Sequence, residues 1–231
     1  GKEYIVKTIV TTETIKTIAE RNGVEMYDVY TGFKWIANVM RENEGKKNYI
    51  GGGEESYGFL CEDFVRDKDA VSACVILAEI AAWAKDQGLS LYQLLQKIYV
   101  EYGFSKEKGI SVVKKGKSGA EEIEAMMKKF RENPLTEIAG SKVTYFYDYS
   151  TLKGKDYAEN ETVTLDMPTT SNVLQYFTED NTKVSIRPSG TEPKIKFYCE
   201  VHSKVKSIDE LPEAEKAAEE KINQIKASLG I

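Results

Sequence analysis

Residues 4–30 read YIVKTIVTTETIKTIAERNGVEMYDVY. Tyr4–Val10 is short and β-branched, which suits a strand; Thr11, Thr12 and Glu13 then supply capping chemistry for an apolar-periodic helix that stops at Gly23. Val24–Tyr30 predicts the next strand, and Thr31 and Gly32 turn the chain. Beyond them Phe33, Ile36, Ala37 and Met40 recur at helical spacing, and Tyr49 and Ile50 begin a third strand that runs into Gly51, Gly52 and Gly53. Strands alternating with helices in units of this size join through right-handed crossovers into parallel pairs. The stretch therefore predicts an α/β three-layer domain with a mixed, largely parallel sheet.

Two further helices follow, Ala70–Asp86 and Leu91–Tyr102, separated by Gln87, Gly88 and Ser90. Residues 106–119 are basic, glycine-containing and weakly periodic, so they read as a connection, and Glu121–Asn133 is a helical pattern stopped by Asn133 and Pro134. From Lys142 the pattern changes to short alternating or aromatic runs, at Val143–Tyr149, Val173–Thr178, Lys183–Arg187 and Ile195–Val201. A last helix covers Glu213–Leu229. The expected organisation is an α/β domain over 1–105, a helical connection and hinge over 106–140, and an α+β domain with an antiparallel sheet packed on helices over 141–231.

With 32 Lys plus Arg against 37 Asp plus Glu, the net charge is −5, which argues against a general nucleic-acid binder, since phosphate backbones select a basic surplus. No apolar run approaches the roughly 20 residues that cross a bilayer, so no membrane partner is expected. Cys61, Cys74 and Cys199 lie far apart and are odd in number, which argues against a disulfide framework and fits a reducing cytoplasm. Gly1 stands where a natural start shows Met, which suggests a piece of a longer chain.

Several apparent motifs fail. Gly116, Lys117 and Ser118 end like a phosphate-binding P-loop, but Ser111 stands where the first glycine belongs and no strand is expected before it. Asp67 and Asp69 resemble a metal pair without further acidic ligands at the required spacing. His202 is the single histidine, and near a strand end it reads as a surface residue.

Two loops carry chemistry. Gly53, Glu54, Glu55, Ser56, Tyr57 and Gly58 follow a buried strand, at the carboxyl end of which ligands bind in open parallel sheets. Carboxylates and a hydroxyl between glycines suit a polyol, because a carboxylate accepts from two adjacent hydroxyls; composition alone favours a plain solvated turn. In the second loop, Arg187-Pro188-Ser189-Gly190-Thr191-Glu192-Pro193, a planar guanidinium, two hydroxyls and a glycine form an anion nest of phosphate size. An arginine adds nothing to turn formation, which favours a binding role over a mere turn.

G-E-E-S-Y-G followed by R-P-S-G-T-E-P resembles the sugar-binding and phosphate-binding loops of the α-D-phosphohexomutases, in the phosphoglucomutase and phosphomannomutase branch. The resemblance extends through Thr31–Trp35 and Arg66–Asp69 and covers nearly the whole chain. Members of that family have four domains around one cleft. A phosphoserine in the first and a magnesium loop in the second perform the transfer, the third reads the sugar, and the fourth holds its phosphate. The present sequence resembles the third and fourth, and holds neither a serine loop of the T-A-S-H-N-P kind nor a D-x-D-x-D-R magnesium loop.

The resemblance implies a parent isomerase, an intramolecular phosphotransferase that interconverts hexose 1-phosphate and hexose 6-phosphate through a bisphosphate intermediate, using Mg2+ and glucose 1,6-bisphosphate. Its partners are hexose phosphates, including glucose 1-phosphate and glucose 6-phosphate with mannose phosphates open, and the missing N-terminal domains. It further implies that Glu54 and Ser56, with Gly53, meet the sugar hydroxyls, and that Arg187, Ser189, Gly190 and Thr191 hold the phosphate that is not reacting. Lys68 is a candidate for proton transfer or phosphate contact, and Lys34 for phosphate contact, each against a plain exposed lysine at a helix start. No metal site is expected in this chain, and the chain alone is expected to be inactive. The alternative is a stand-alone phosphosugar sensor without catalysis.

Overall fold

Alternation along Glu3–Thr8 (β1) puts Tyr4 and Val6 on one face of the first sheet, where both are buried. The computed structural model describes residues 2–114, 116–190 and 192–231. They cluster into two compact units, Gly1–Phe104 with Lys204–Asp209, and Ser105–Ser203 with Glu210–Ile231.

In the first unit β1 is followed by α1 (Thr14–Arg21), β2 (Glu25–Val29), α2 (Phe33–Asn43), β3 (Asn48–Gly53), β4 (Phe59–Cys61), α3 (Ala70–Asp86) and α4 (Leu91–Tyr102). The sheet order is β2-β1-β3-β4. β1 pairs parallel with both β2 and β3, and β4 turns back antiparallel to β3, so the sheet is mixed and largely parallel. The apolar stripe of α2, Phe33, Ile36, Val39 and Met40, packs with Tyr4, Val6, Val29, Tyr49 and Leu60 into one core. The N-cap of α1, Glu13, makes no side-chain cap bond; one residue earlier the Thr12 hydroxyl accepts from the amide of Thr14 at 3.2 Å. α3 and α4 have the bounds expected from sequence because each has a strong N-cap. Asp69 accepts from the amide of Ser72 at 2.8 Å, and Ser90 forms a reciprocal capping box with Gln93. The Asp67/Asp69 pair thus has a structural explanation, and hydrogen bonds from Ser72 hold the Asp69 carboxyl below its usual range.

The second unit contains β5 (Phe104–Val113), α5 (Gly116–Glu132), β6 (Glu137–Ile138), β7 (Ser141–Asp148), β8 (Lys153–Asp156), β9 (Glu161–Thr164), β10 (Leu174–Thr178), β11 (Lys183–Pro188), β12 (Lys194–Ser203) and α6 (Leu211–Leu229). Its strands form one sheet of order β5-β12-β11-β10-β7-β8-β9, with β6 paired to β7. β7, β8, β9, β10, β11 and β12 run antiparallel to their neighbours along that order. Phe130 of α5 meets Phe197 of β12 edge to face at 6.3 Å, and the hydroxyl of Tyr176 donates to the carbonyl of Phe130 at 3.0 Å. Along α6 the buried positions Leu211, Ala218, Ile222, Ile225 and Leu229 recur at helical spacing.

One segment differs from the sequence reading. Residues 106–140, read there as a helical connection and hinge, hold the expected helix within α5 but also most of β5 and all of β6, and cluster with the second unit. Lys106, Glu107, Lys108 and Gly109 conceal the strand, whose partner β12 lies some ninety residues away in sequence. A strand therefore does precede Gly116; Ser111 remains the departure from the P-loop pattern.

Candidate functional site

The carboxyl ends of the parallel strands are Thr8, Val29 and Gly53. Three segments singled out in the sequence meet there. The amide of Gly32, at the N-cap of α2, donates to Glu54 Oε1 at 2.7 Å, which ties the Thr31–Trp35 turn to the Gly53–Gly58 loop. The loop closes on itself through the Glu54 amide, which donates to the Gly58 carbonyl at 2.7 Å. Lys68 arrives from the third segment: a Cβ on Gly58 would lie 3.0 Å from Glu54 Oε2 and 3.1 Å from Lys68 Cδ. The Lys68 ammonium sits 5.7 Å over the Phe33 ring and 3.4 Å from Asp67 Oδ1.

Steric demand explains the glycines. A Cβ on Gly52 would come within 2.3 Å of the Val6 carbonyl, and one on Gly53 within 2.6 Å of the Gly58 carbonyl. Within the loop the two carboxylates have different surroundings. Glu55 Oε2 accepts from the Thr8 hydroxyl at 3.3 Å, whereas Glu54 has one oxygen on Gly32 and the other at Gly58. Ser56 is exposed in the loop. Tyr57 shapes the loop through a backbone φ of 67°, its side chain being fully exposed. Lys34 is exposed on the first turn of α2 with its ammonium 5.0 Å over the Trp35 ring.

Sequence reasoning missed Lys7. It is 0% exposed, lies in register beside Gly53 on one side and Asp28 on the other, and bonds Asp28 Oδ1 at 2.7 Å and Glu13 Oε1 at 2.9 Å. Burial pushes its pKa down, but the two carboxylates outweigh that and hold it above the usual lysine range. A lysine between valine and threonine reads as solvent-facing; the signal was Asp28, visible only once β1 and β2 are aligned.

In the second unit Arg187 and Pro188 end β11, and Ser189, Gly190 and Glu192 follow. Thr191 lies outside the described residues. The Ser189 amide donates to the Lys194 carbonyl at 2.7 Å, and the Glu192 amide to the Ser189 hydroxyl at 3.3 Å, so the loop base is fixed. Gly190 has open space around it. On the α5 side of the loop a cavity of about 510 Å³ is lined by Met127, Arg131, Asn172, Pro188 and Ser189. Arg131, not singled out in sequence, bonds Asp148 Oδ2 at 3.0 Å and Asn172 Oδ1 at 2.8 Å.

At the opposite end of β11 from that loop lies a second buried lysine. Lys183 bonds Glu200 Oε2 at 2.9 Å with both side chains under 5% exposed, and Glu200 Oε1 is 2.7 Å from His202 Nε2. Burial pushes the Glu200 carboxyl up, yet the His202 hydrogen bond and the Lys183 charge outweigh it and hold the group far below the carboxylate range. His202, expected as a plain surface residue, is 20% exposed and turned onto this carboxylate.

Among the described residues no group of three or more histidine, cysteine or carboxylate side chains is arranged to hold a metal ion, and no helix is long and apolar enough to cross a membrane.

Comparison with known proteins agrees with the resemblance stated from sequence. Residues 1–102 match the family description "Phosphoglucomutase/phosphomannomutase, alpha/beta/alpha domain III", and residues 111–218 match "Phosphoglucomutase/phosphomannomutase, C-terminal domain". A phosphoglucomutase of Staphylococcus haemolyticus is 36% identical over 198 residues, 86% of this chain and 36% of that protein. One from Staphylococcus aureus is 40% identical over 194 residues, 84% of this chain and 35% of that protein. The chain thus spans about a third of the length of these relatives. Among solved structures, the Paramecium phosphoprotein parafusin, a phosphoglucomutase, superposes with a TM-score of 0.58 at 19% identity, covering 88% of this chain and 33% of that one. A Thermus thermophilus protein described as a phosphomannomutase gives 0.56 at 18% identity, over 95% and 37%. Both share the fold of the two units.

Proposed function

Because this chain belongs to the phosphoglucomutase/phosphomannomutase family, carrying its domain III and its C-terminal domain, we propose that it is the substrate-reading part of a hexose-phosphate mutase. The observation that carries the reading is the meeting of Gly32, Glu54, Gly58 and Lys68 at the carboxyl end of the first sheet. Three separate stretches that resemble the family converge on one patch of acceptors and a cation.

In this reading Glu54 and Ser56 accept and donate to neighbouring hydroxyls of the sugar. The Gly32 amide fixes one oxygen of Glu54, which presents the carboxylate in one orientation before the sugar arrives. Lys68 and Lys34 bring positive charge to the same side, and Lys68 is the candidate for contact with the reacting end, by proton transfer or phosphate binding. Arg187, Ser189, Gly190 and the undescribed Thr191 hold the phosphate that does not react, the guanidinium offering two parallel donors to its oxygens. Hydroxyls at adjacent ring positions look alike to such a loop when the ligand reverses, so a site of this kind accepts both the 1-phosphate and the 6-phosphate. Glucose and mannose differ elsewhere on the ring, and the loop alone discriminates poorly between them.

The phosphoryl transfer itself belongs to further domains of a longer protein, which with Mg2+ and glucose 1,6-bisphosphate supply the nucleophile and charge neutralisation. The test is calorimetry with glucose 1-phosphate on the 231-residue chain and on Arg187→Ala. Binding by the first and its loss in the second is expected. Equal heats for the two remove the phosphate assignment, and mutase turnover by the chain alone removes the assignment of transfer to other domains.

A further inference from the structure

Tyr57 stands between Ser56 and Gly58 in the first loop, with its side chain fully exposed and its backbone held at a φ of 67°. Both features run against the chemistry of the residue. An aromatic ring gains from leaving water, and a bulky side chain disfavours the left-handed region that glycine adopts freely. Among the described residues six non-glycines have positive φ, and Tyr57 is the one aromatic in that group. It is also the most exposed of the large hydrophobic side chains described. Neither the turn nor a core asks for a tyrosine here. Backbone strain of this kind gathers at ligand clamps, where a contact made on binding offsets it.

The surroundings indicate which contact. The Glu54 amide closes the loop onto the Gly58 carbonyl at 2.7 Å, so Tyr57 sits inside a closed turn. Within the same turn the Gly32 amide fixes Glu54 Oε1 at 2.7 Å, and Ser56 is exposed one residue before the ring. A pyranose with mostly equatorial hydroxyls is polar around its rim and carries C–H bonds on its two faces. A carboxylate and a hydroxyl answer the rim. The faces call for an apolar partner, and the electron-rich face of an aromatic ring attracts slightly positive C–H hydrogens. The loop holds one such ring.

We propose that Tyr57 is a sugar-stacking residue, whose ring lies on a C–H face of the pyranose while Glu54 and Ser56 meet hydroxyls at its edge. The proposal rests on the reading of Gly53–Gly58 as the sugar-binding loop and adds the residue that separates a ring-shaped sugar from an open-chain polyol. When the sugar reverses between its 1-phosphate and 6-phosphate poses, C–H bonds remain on both faces, so the stack forms in either pose.

The test is calorimetry with glucose 1-phosphate, and with glycerol 3-phosphate as a phosphorylated open-chain polyol, on the 231-residue chain and on Tyr57→Gly, Tyr57→Phe and Glu54→Ala. Tyr57→Gly is expected to weaken glucose 1-phosphate binding about three- to tenfold and to leave glycerol 3-phosphate as weak as it is for the starting chain. Tyr57→Phe keeps the ring and is expected to bind glucose 1-phosphate within about twofold of the starting chain. Without ligand, Tyr57→Gly is expected to melt within about 4 °C of the starting chain, because relief of the positive φ offsets the extra freedom of glycine in the unfolded state. Equal weakening of both ligands, or a larger drop in melting temperature, makes Tyr57 a loop-shaping residue and overturns the proposal. A loss in Tyr57→Phe as large as that in Tyr57→Gly assigns the effect to the hydroxyl and overturns the stack. Undiminished glucose 1-phosphate binding by Tyr57→Gly beside lost binding by Glu54→Ala overturns the role of Tyr57 and leaves the sugar loop standing. Failure of the unsubstituted chain to bind, or undiminished binding by Glu54→Ala, removes both.

Discussion

The Gly53–Gly58 loop and the loop that follows Arg187 both leave the end of a strand, but the first is closed by its own chain while the second leaves its charges open. In the first, Gly32 donates to Glu54, Thr8 to Glu55, and the backbone spans Glu54 to Gly58, so the carboxylates are already partly satisfied. In the second, the backbone base is fixed at Ser189 and Glu192 pairs with Lys194, while Arg187 lies opposite Lys196 in the ladder. In the proposed reading, the difference follows from the ligand each loop meets. A polyol brings weak neutral donors, and a carboxylate that meets them gains from being held in place beforehand. A phosphate brings its own full charge, so the fold can leave cations uncompensated for it. In the proposed reading, a chain of net charge −5 offers an anion site through a local cation, Arg187, rather than through its bulk charge.

The second loop hangs from the β11–β12 ladder, and the largest expected effect tests how firmly the far end of that ladder is held. Glu200→Ala leaves Lys183 charged and sealed, which is expected to cost about 3–5 kcal/mol in urea unfolding at neutral pH. A cost below about 1 kcal/mol would show that the sealed pair does not hold the ladder. The same carboxylate sets an acid limit. Its folded-state pKa is depressed, so its contribution is present above the unfolded value near 4.3 and is lost as pH falls below it. Stability of the second unit is expected to drop as pH falls from about 4 to 3, and Glu200→Gln to flatten that drop. An unchanged slope in Glu200→Gln assigns the acid sensitivity to other groups.

The second test sets glycine against glycine. At Gly52 a methyl group would press on the Val6 carbonyl at 2.3 Å and on the Tyr49 hydroxyl at 2.7 Å, whereas at Gly190 it would meet nothing within 4 Å. Gly52→Ala is expected to destabilise by about 1–3 kcal/mol, with thermal unfolding as the measure. Gly190→Ala is expected to stay within about 0.5 kcal/mol of the starting chain. Similar losses at both positions would erase the distinction between a sterically locked loop and an open one.

Much of this was legible in the sequence where the signal is local. The bounds of α3 and α4 follow from Asp69 and Ser90, each a cap residue directly before an apolar helix. The strand–helix alternation of Tyr4–Gly53 carries the parallel sheet, because each unit closes within some twenty-five residues. What stayed hidden is what depends on register. β5 is charged where it should alternate, and β8 and β9, KGKD and ETVT, are short edge-side strands with little apolar content. Lys7 and Lys183 look like surface residues until Asp28 and Glu200 are set opposite them. The candidate loops were visible as motifs, but the tie between Gly32 and Glu54, twenty-two residues apart, required the sheet that brings them together.

That tie gives the smallest of the expected effects and the finest test of how far the first loop is held in advance. The Glu54 carboxylate accepts from the Gly32 amide at the N-cap of α2, where the helix dipole also favours negative charge. Glu54→Ala removes both and is expected to cost the first unit about 1 kcal/mol. Glu54→Gln keeps an acceptor for the amide and loses only the charge, so it is expected to cost less, about 0.5 kcal/mol. Stability and sugar binding then separate. If the loop is preset by this bond, Glu54→Gln keeps most of the stability yet weakens glucose 1-phosphate binding, because the hydroxyls lose an ionised acceptor. Equal stability for Glu54→Ala and the starting chain would mean that the bond adds nothing to the fold, and the first loop would then be as open as the second.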